Sequence, residues 1–178
     1  MDYNSIIAHY YEKDSQLYQI LYSHSRSVAD MALEIIQKHP ELNADERFVE
    51  EAAMLHDIGV VQCNAPSICC FGTQPYICHG MIGAEMMRKE GFPRHALVCE
   101  RHTGAGITIN DIISQKLPLP LRDFTPQAVE EKIICFADKF FSKTRLQQRK
   151  TVQQAIDSLR KFGDEGVDRF TEWCDTFL

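Results

Sequence analysis

The chain has 178 residues, with 25 acidic against 19 basic side chains and a net charge of −6. That length is enough for one domain with a full hydrophobic core and no disulfide staples. The acidic balance argues against a general affinity for nucleic-acid polymers, which basic patches drive. No apolar run approaches the ~20 residues that span a bilayer.

The seven cysteines (Cys63, Cys69, Cys70, Cys78, Cys99, Cys135, Cys174) include no Cys-x-x-Cys pair, so neither a thiolate zinc site nor a redox motif is expected. The first residues lack the basic and apolar segments of a signal peptide, and a cytoplasmic location is the expectation.

In chain order, residues from about Tyr3 to Leu21 read as a first helix of mixed character. Val28, Met31, Ala32, Ile35 and Ile36 recur at three and four and define a second, closed by Pro40. His24, four residues before Val28, lies on its buried face near the expected start. Asn43 and Glu46 resemble a capping box opening a third helix, on which Val49, Ala52, Ala53 and His56 share a stripe. Gly59 suits its C-cap. A cysteine-rich loop follows to about Cys78.

His79 opens the next helix, with Ile82, Gly83, Met86 and Met87 on its face, and Val98 and His102 share a short helix begun by Pro93. The stretch from Thr103 to Leu121 has the Gly and Pro punctuation of a long loop. Thr125-Pro126 predicts the start of a helix carrying Ile134 and Asp138 on one line. Two amphipathic helices finish the chain, one with Val152, Ala155, Ile156 and Leu159, the other with Phe170, Trp173 and Phe177. No convincing strand or repeat is visible. The expectation is an all-α domain.

The chemistry concentrates in six residues. His56 and Asp57 stand side by side at the end of a buried helix, where two such groups are costly unless a cation satisfies them. His24, His79 and His102 share faces with apolar residues. Asp138 stands among Phe136, Ala137, Phe140 and Phe141, where a carboxylate needs a positive partner; Lys139 is one bland source. His9, His39 and His95 have weaker settings and read as structural or solvated.

The order of these residues, with its local context, resembles the HD-domain superfamily of metal-dependent phosphohydrolases. The matching stretches are His24-Ser25-x-x-Val28-Ala29, His56-Asp57-Ile58-Gly59, His79-Gly80-x-x-Gly83-Ala84 and Ala137-Asp138-Lys139, and they cover roughly residues 20–145. The resemblance implies an HD-type helical bundle, a single domain over 1–178 with its motif-bearing core at 20–145 and C-terminal helices at 146–178. It also implies a metal centre between the helices. Members with both additional histidines usually hold two metals. One metal is then expected on His24, His56, Asp57 and Asp138, with Asp57 bridging to a second on His79 and His102. The donor set suits iron, manganese, zinc, cobalt or nickel.

The expected chemistry is hydrolysis of a small phosphate ester, a nucleotide in particular, by metal-activated hydroxide at that dinuclear site. Asp57 as bridge, with Lys139, Arg26 and then Arg101 as phosphate clamps, forms the expected catalytic set. The acidic pair of guanosine tetraphosphate hydrolases is absent after Gly59. Val60 replaces the lysine of cyclic dinucleotide phosphodiesterases, and their Gly-Tyr-Pro signature is missing. The ligand series is similar to that of symmetrical dinucleoside-tetraphosphate hydrolases. A mixed-valence di-iron oxygenase and a non-catalytic ligand-sensing module are the rival readings. Expected partners are a small phosphorylated substrate, no nucleic-acid polymer and no membrane.

Overall fold

Why the chain folds as it does is read from a computed structural model, which describes residues 1–146, 148–160 and 162–178. The first expected helix is two. Helix α1 (Tyr3–Tyr10) is capped by Asp2, whose side chain accepts from the Ser5 amide, and it stops at the extended Tyr11. Ser15 then caps α2 (Gln16–Lys38) by accepting from the Tyr18 amide. His24 is therefore two turns inside a long helix rather than near its start. Its face continues through Val28, Ala32, Ile35 and Ile36, all buried.

Asp45 caps α3 (Glu46–Leu55) through the Phe48 amide, and Asn43 ends a preceding short turn in the left-handed region. The cap is thus two residues beyond the expected Asn43, and it is a single side-chain bond rather than a capping box. Between α3 and α4 (His79–Lys89) the cysteine-rich loop forms a minimal hairpin, β1 (Asn64–Ala65) antiparallel to β2 (Cys70–Phe71). It is the one strand pair among the described residues.

After α5 (Pro93–Arg101), the stretch read as a long loop carries α6 (Ile109–Gln115). Thr108 and Asp111 close a capping box on it, so local hydrogen bonds outweigh the breaker composition. Thr125-Pro126 does not open α7 (Val129–Asp138); Ala128 stands at its N-cap. Helices α8 (Val152–Arg160) and α9 (Asp164–Phe177) complete the bundle. The all-α architecture holds, and no helix of the described residues is long and apolar enough to cross a membrane.

Helix α2 packs against α3 and α7, and α4 packs against α5 and the turn after Asp57. The last contact is the closest. A Cβ on Gly59 would lie 2.2 Å from the His79 carbonyl oxygen and 2.3 Å from the Gly83 nitrogen. Gly59 thus admits α4 rather than capping α3. Gly80 has the same duty toward α5, where a Cβ would sit 2.6 Å from the Cys99 carbonyl oxygen. Tyr11 braces the turn from the other side: its buried hydroxyl donates to Ile58 O and accepts from the Val61 amide, both at 2.9 Å.

Gly59→Ala should destabilise the protein by about 3 kcal/mol, the upper end of ordinary overpacking, because the obstacle is backbone. It should also weaken binding at the metal position that uses His79. Urea denaturation and a metal titration of the variant check both.

Candidate metal centre

Six side chains meet where α2, α3, α4, α5 and α7 converge. His24 comes from the middle of α2, His56 and Asp57 from the end of α3, His79 from the first residue of α4, His102 from the end of α5 and Asp138 from the end of α7. All six are buried.

Their geometry divides them into two sets that share one carboxylate. His24, His56, Asp57 and Asp138 offer ligand atoms within 4.8 Å of one another, as do Asp57, His79 and His102. Asp57 splits its oxygens between them. Oδ2 faces Nε2 of His24 at 3.3 Å and of His56 at 3.1 Å. Oδ1 faces Nε2 of His79 and of His102, both at 3.4 Å. Asp138 Oδ1 closes the first set, 3.0 Å from His24 Nε2.

The imidazoles of His56 and His102 are oriented by the helices that they end, and that of His79 by the turn before its helix. Nδ1 of His56 donates to Ala53 O at 2.6 Å, that of His79 to Tyr76 O at 2.6 Å and that of His102 to Cys99 O at 2.8 Å. Each bond reaches back three residues and leaves Nε2 as a free lone pair, the arrangement that outer partners impose on ligand histidines. As a result, Nε2 of His79 and of His102 face each other at 3.0 Å as two acceptors. A cation bound at both satisfies the pair.

Further orphans point the same way. Both ring nitrogens of His24, Nε2 of His56 and Oδ1 of Asp57 lack a hydrogen-bond partner while fully buried. An all-nitrogen and carboxylate donor set of this kind fits divalent transition metals, and the two ligand sets fit two of them.

Charge follows position. Burial raises the Asp57 carboxyl, but Lys143 and His56 more than offset it and hold it well below the usual carboxylate range. Burial likewise opposes ionisation of Asp138, and Lys139 and His24 overcome it. His79 is driven down to about 3 by burial and by neighbouring His102, so it stays neutral. His56 resists burial because Asp57 and Asp138 flank it, and with no cation present it rises to about 9; a metal at Nε2 would take the place of that proton.

Of the expected phosphate clamps, Lys139 stands at the site, with its ammonium 3.0 Å from Asp138 Oδ2. Arg26 is not brought in. Its guanidinium is taken by Asp30 and Glu50 at 2.8 Å each, because position 26 turns away from the face that carries His24. Arg101 is likewise held by Glu131 at 3.0 Å.

The residue missed by sequence reasoning is Lys143. Its ammonium lies 2.5 Å from Asp57 Oδ2, and Asp57 and Asp138 hold it charged against its burial. The available signal was the run Lys139 to Lys150, with five basic residues (Lys139, Lys143, Arg145, Arg149, Lys150) and no acidic one.

The mouth of the site is a cavity of about 490 Å³. Asn64, Ser67 and Tyr76 form one wall, and Asp138, Lys139 and Lys143 another. The 63–78 loop therefore walls the pocket. The 103–121 stretch borders a separate apolar cavity of about 90 Å³ against α8 and α9.

A helical bundle whose separate helices deliver a His-Asp pair, three further imidazoles and a final aspartate to one buried point defines a metal-centred hydrolase fold. The HD-domain family profile matches residues 21–142, and the chain belongs to the HD-domain superfamily of metal-dependent phosphohydrolases. Among curated relatives it is 35% identical over 146 residues to a tRNA (cytidine(56)-2'-O)-methyltransferase of Thermoplasma volcanium, covering 82% of this chain and 38% of that protein. The methyltransferase of the same name from Picrophilus torridus is 35% identical over 128 residues, covering 71% of this chain and 33% of that protein. The chain thus spans about a third of the length of these relatives. An uncharacterized protein of Methanocaldococcus jannaschii is 35% identical over 125 residues, covering 68% of this chain and 66% of that one. The HD domain of the Listeria monocytogenes phosphodiesterase PgpH shares the fold, with a TM-score of 0.55 and 18% identity, over 89% of this chain and 81% of that one.

Elemental analysis of protein purified with Mn²⁺ should give two ions per chain, falling to one in His79→Ala and in His102→Ala. Asp57→Ala, which removes the shared carboxylate, should fall below one.

Proposed function

We propose that the protein hydrolyses a small phosphate ester, with nucleotides as the substrate class. The carrying observation is the division of Asp57, one oxygen toward each ligand set, since a shared carboxylate is what sets two cations side by side. Two metal ions there would supply hydroxide near neutral pH and offset the charge that grows on the phosphoryl group.

The chain's own residues do the rest. His24, His56, Asp57 and Asp138 would hold one metal, and Asp57, His79 and His102 the other. Lys143 and Lys139 enter the mouth from the end of α7 and meet the phosphoryl oxygens as point charges, the usual role of lysine at phosphate. Tyr76, stacked on His79 with ring centroids 4.7 Å apart, covers the open side and excludes water from that imidazole. Arg26 has no place in this scheme. We take residues 1–178 as one HD-type unit, with α8 and α9 packed back on the bundle.

The methyltransferase relatives are longer proteins, and the segment they share with this chain has the length of an HD domain. The ligand-bearing segment of this chain is read as a hydrolytic unit, not as the source of methyl transfer.

A panel of nucleotides and phosphomonoesters assayed with Mn²⁺, Fe²⁺, Co²⁺, Ni²⁺ and Zn²⁺ tests the reading. Metal-dependent phosphate release that disappears in Asp57→Ala is expected, and no release from any member would overturn it. Lys143→Ala should lower kcat/KM by about 10- to 100-fold, the scale of one lost charged contact to the reacting group. Its metal content should stay at two; loss of metal would make Lys143 a structural counter-charge only.

A further inference from the structure

The basic run after Asp138 is longer than one reacting phosphate requires. Residues 139–150 hold five of the chain's 19 basic side chains and none of its 25 acidic ones, in a protein of net charge −6. Two of the five have structural duties. The Lys150 ammonium donates to Lys139 O at 3.2 Å, and its amide donates to Phe140 O at 2.8 Å, so the segment leaves α7 and returns as a pinned loop. Arg149 pairs with Glu34 at 3.6 Å and lies over the Phe140 ring at 5.5 Å. Lys139 and Lys143 face the two aspartates. Arg145 differs from all of these: it is exposed and makes no ion pair among the described residues.

Its position gives that charge a use. A second cavity of about 550 Å³ begins at Ser67, Lys143 and Thr144, which also line the mouth, and continues past Arg145 toward Ile20 and Leu146. Lys143 therefore stands between the two, and residues 143 and 145 have Cα atoms within about 7 Å. A phosphate held under Lys143 has its next phosphate within reach of the Arg145 guanidinium, whose planar fork suits phosphate oxygens.

We propose that Arg145 and the groove beyond Lys143 form a distal-phosphate subsite, which makes a nucleoside polyphosphate, rather than a monophosphate, the preferred substrate. The assignment rests on the phosphohydrolase reading for the identity of the reacting group. The subsite itself can be read by binding, without turnover.

Two measurements test it, both on the full chain in a fixed excess of Mn²⁺, so that chelation is common to all proteins compared. In the first, calorimetric binding of inorganic tripolyphosphate should weaken at least 10-fold in Arg145→Ala, and less in Arg145→Lys. Orthophosphate binding should fall by a smaller factor. In the second, the ratio of kcat/KM for a nucleoside triphosphate to that for its monophosphate should drop by a similar factor in Arg145→Ala, and remain unchanged in Arg47→Ala, an exposed control on α3.

Equal losses for tripolyphosphate and orthophosphate, or none, would overturn the subsite. Arg145-dependent binding of single-stranded RNA without Arg145-dependent binding of tripolyphosphate would overturn it in favour of a strand-binding edge. Absent hydrolysis with intact Arg145-dependent tripolyphosphate binding would instead remove the hydrolase reading and leave the subsite standing.

Discussion

Everything in this molecule is arranged around two ionised carboxylates placed where water cannot reach. Asp57 is fully buried and Asp138 nearly so, and three of the imidazoles beside them present lone pairs because their other ring nitrogens are committed to backbone carbonyls. Leaving a charge of this kind uncompensated costs several kcal/mol even after relaxation. The protein's own cations, Lys139 and Lys143, approach from one side only and cannot lie between His79 and His102. The helical bundle is thus built to pay a penalty that metal ions remove, and metal affinity and fold stability are linked accordingly.

Precision in such a centre comes from how closely the elements approach, and here glycine sets the limit. The His56-Asp57 end of α3 reaches the start of α4 only because Gly59 has no Cβ, and α4 reaches α5 in the same way through Gly80. These contacts fix the separation of the two ligand sets. Tyr11, from outside the motif-bearing core, locks the same turn through two hydrogen bonds, which gives the N-terminal helix a direct share in positioning Asp57.

The six ligands were legible in the sequence because each carries two signals at once: a metal-binding side chain and a place on an apolar helical face. Their division into sets followed from the family resemblance, and the backbone reproduces it. Less was legible where local hydrogen bonding decides. Ser15 and Asp45 recap the chain at positions that periodicity alone does not mark, and Thr108 with Asp111 winds a helix from a stretch rich in breakers. Arg26 shows a different limit. Nearness to His24 in sequence suggested nearness to the metal, but two residues along a helix turn a side chain by about 200°. Lys143 shows the converse: five residues beyond Asp138, on irregular backbone without a period to read, it reaches the centre of the site.

The backward bonds from His56, His79 and His102 to carbonyls three residues earlier have a practical corollary. For His56 and His102 the aim is inherited from helical pitch, whereas His79 takes its aim from the Tyr76 carbonyl on the rim. Rim segments other than the turn at Tyr76 can diverge, lengthen or be exchanged between related proteins without re-aiming a coordinating nitrogen. One inorganic core can therefore serve many specificities, and grafting of foreign rims onto this scaffold becomes a feasible engineering route.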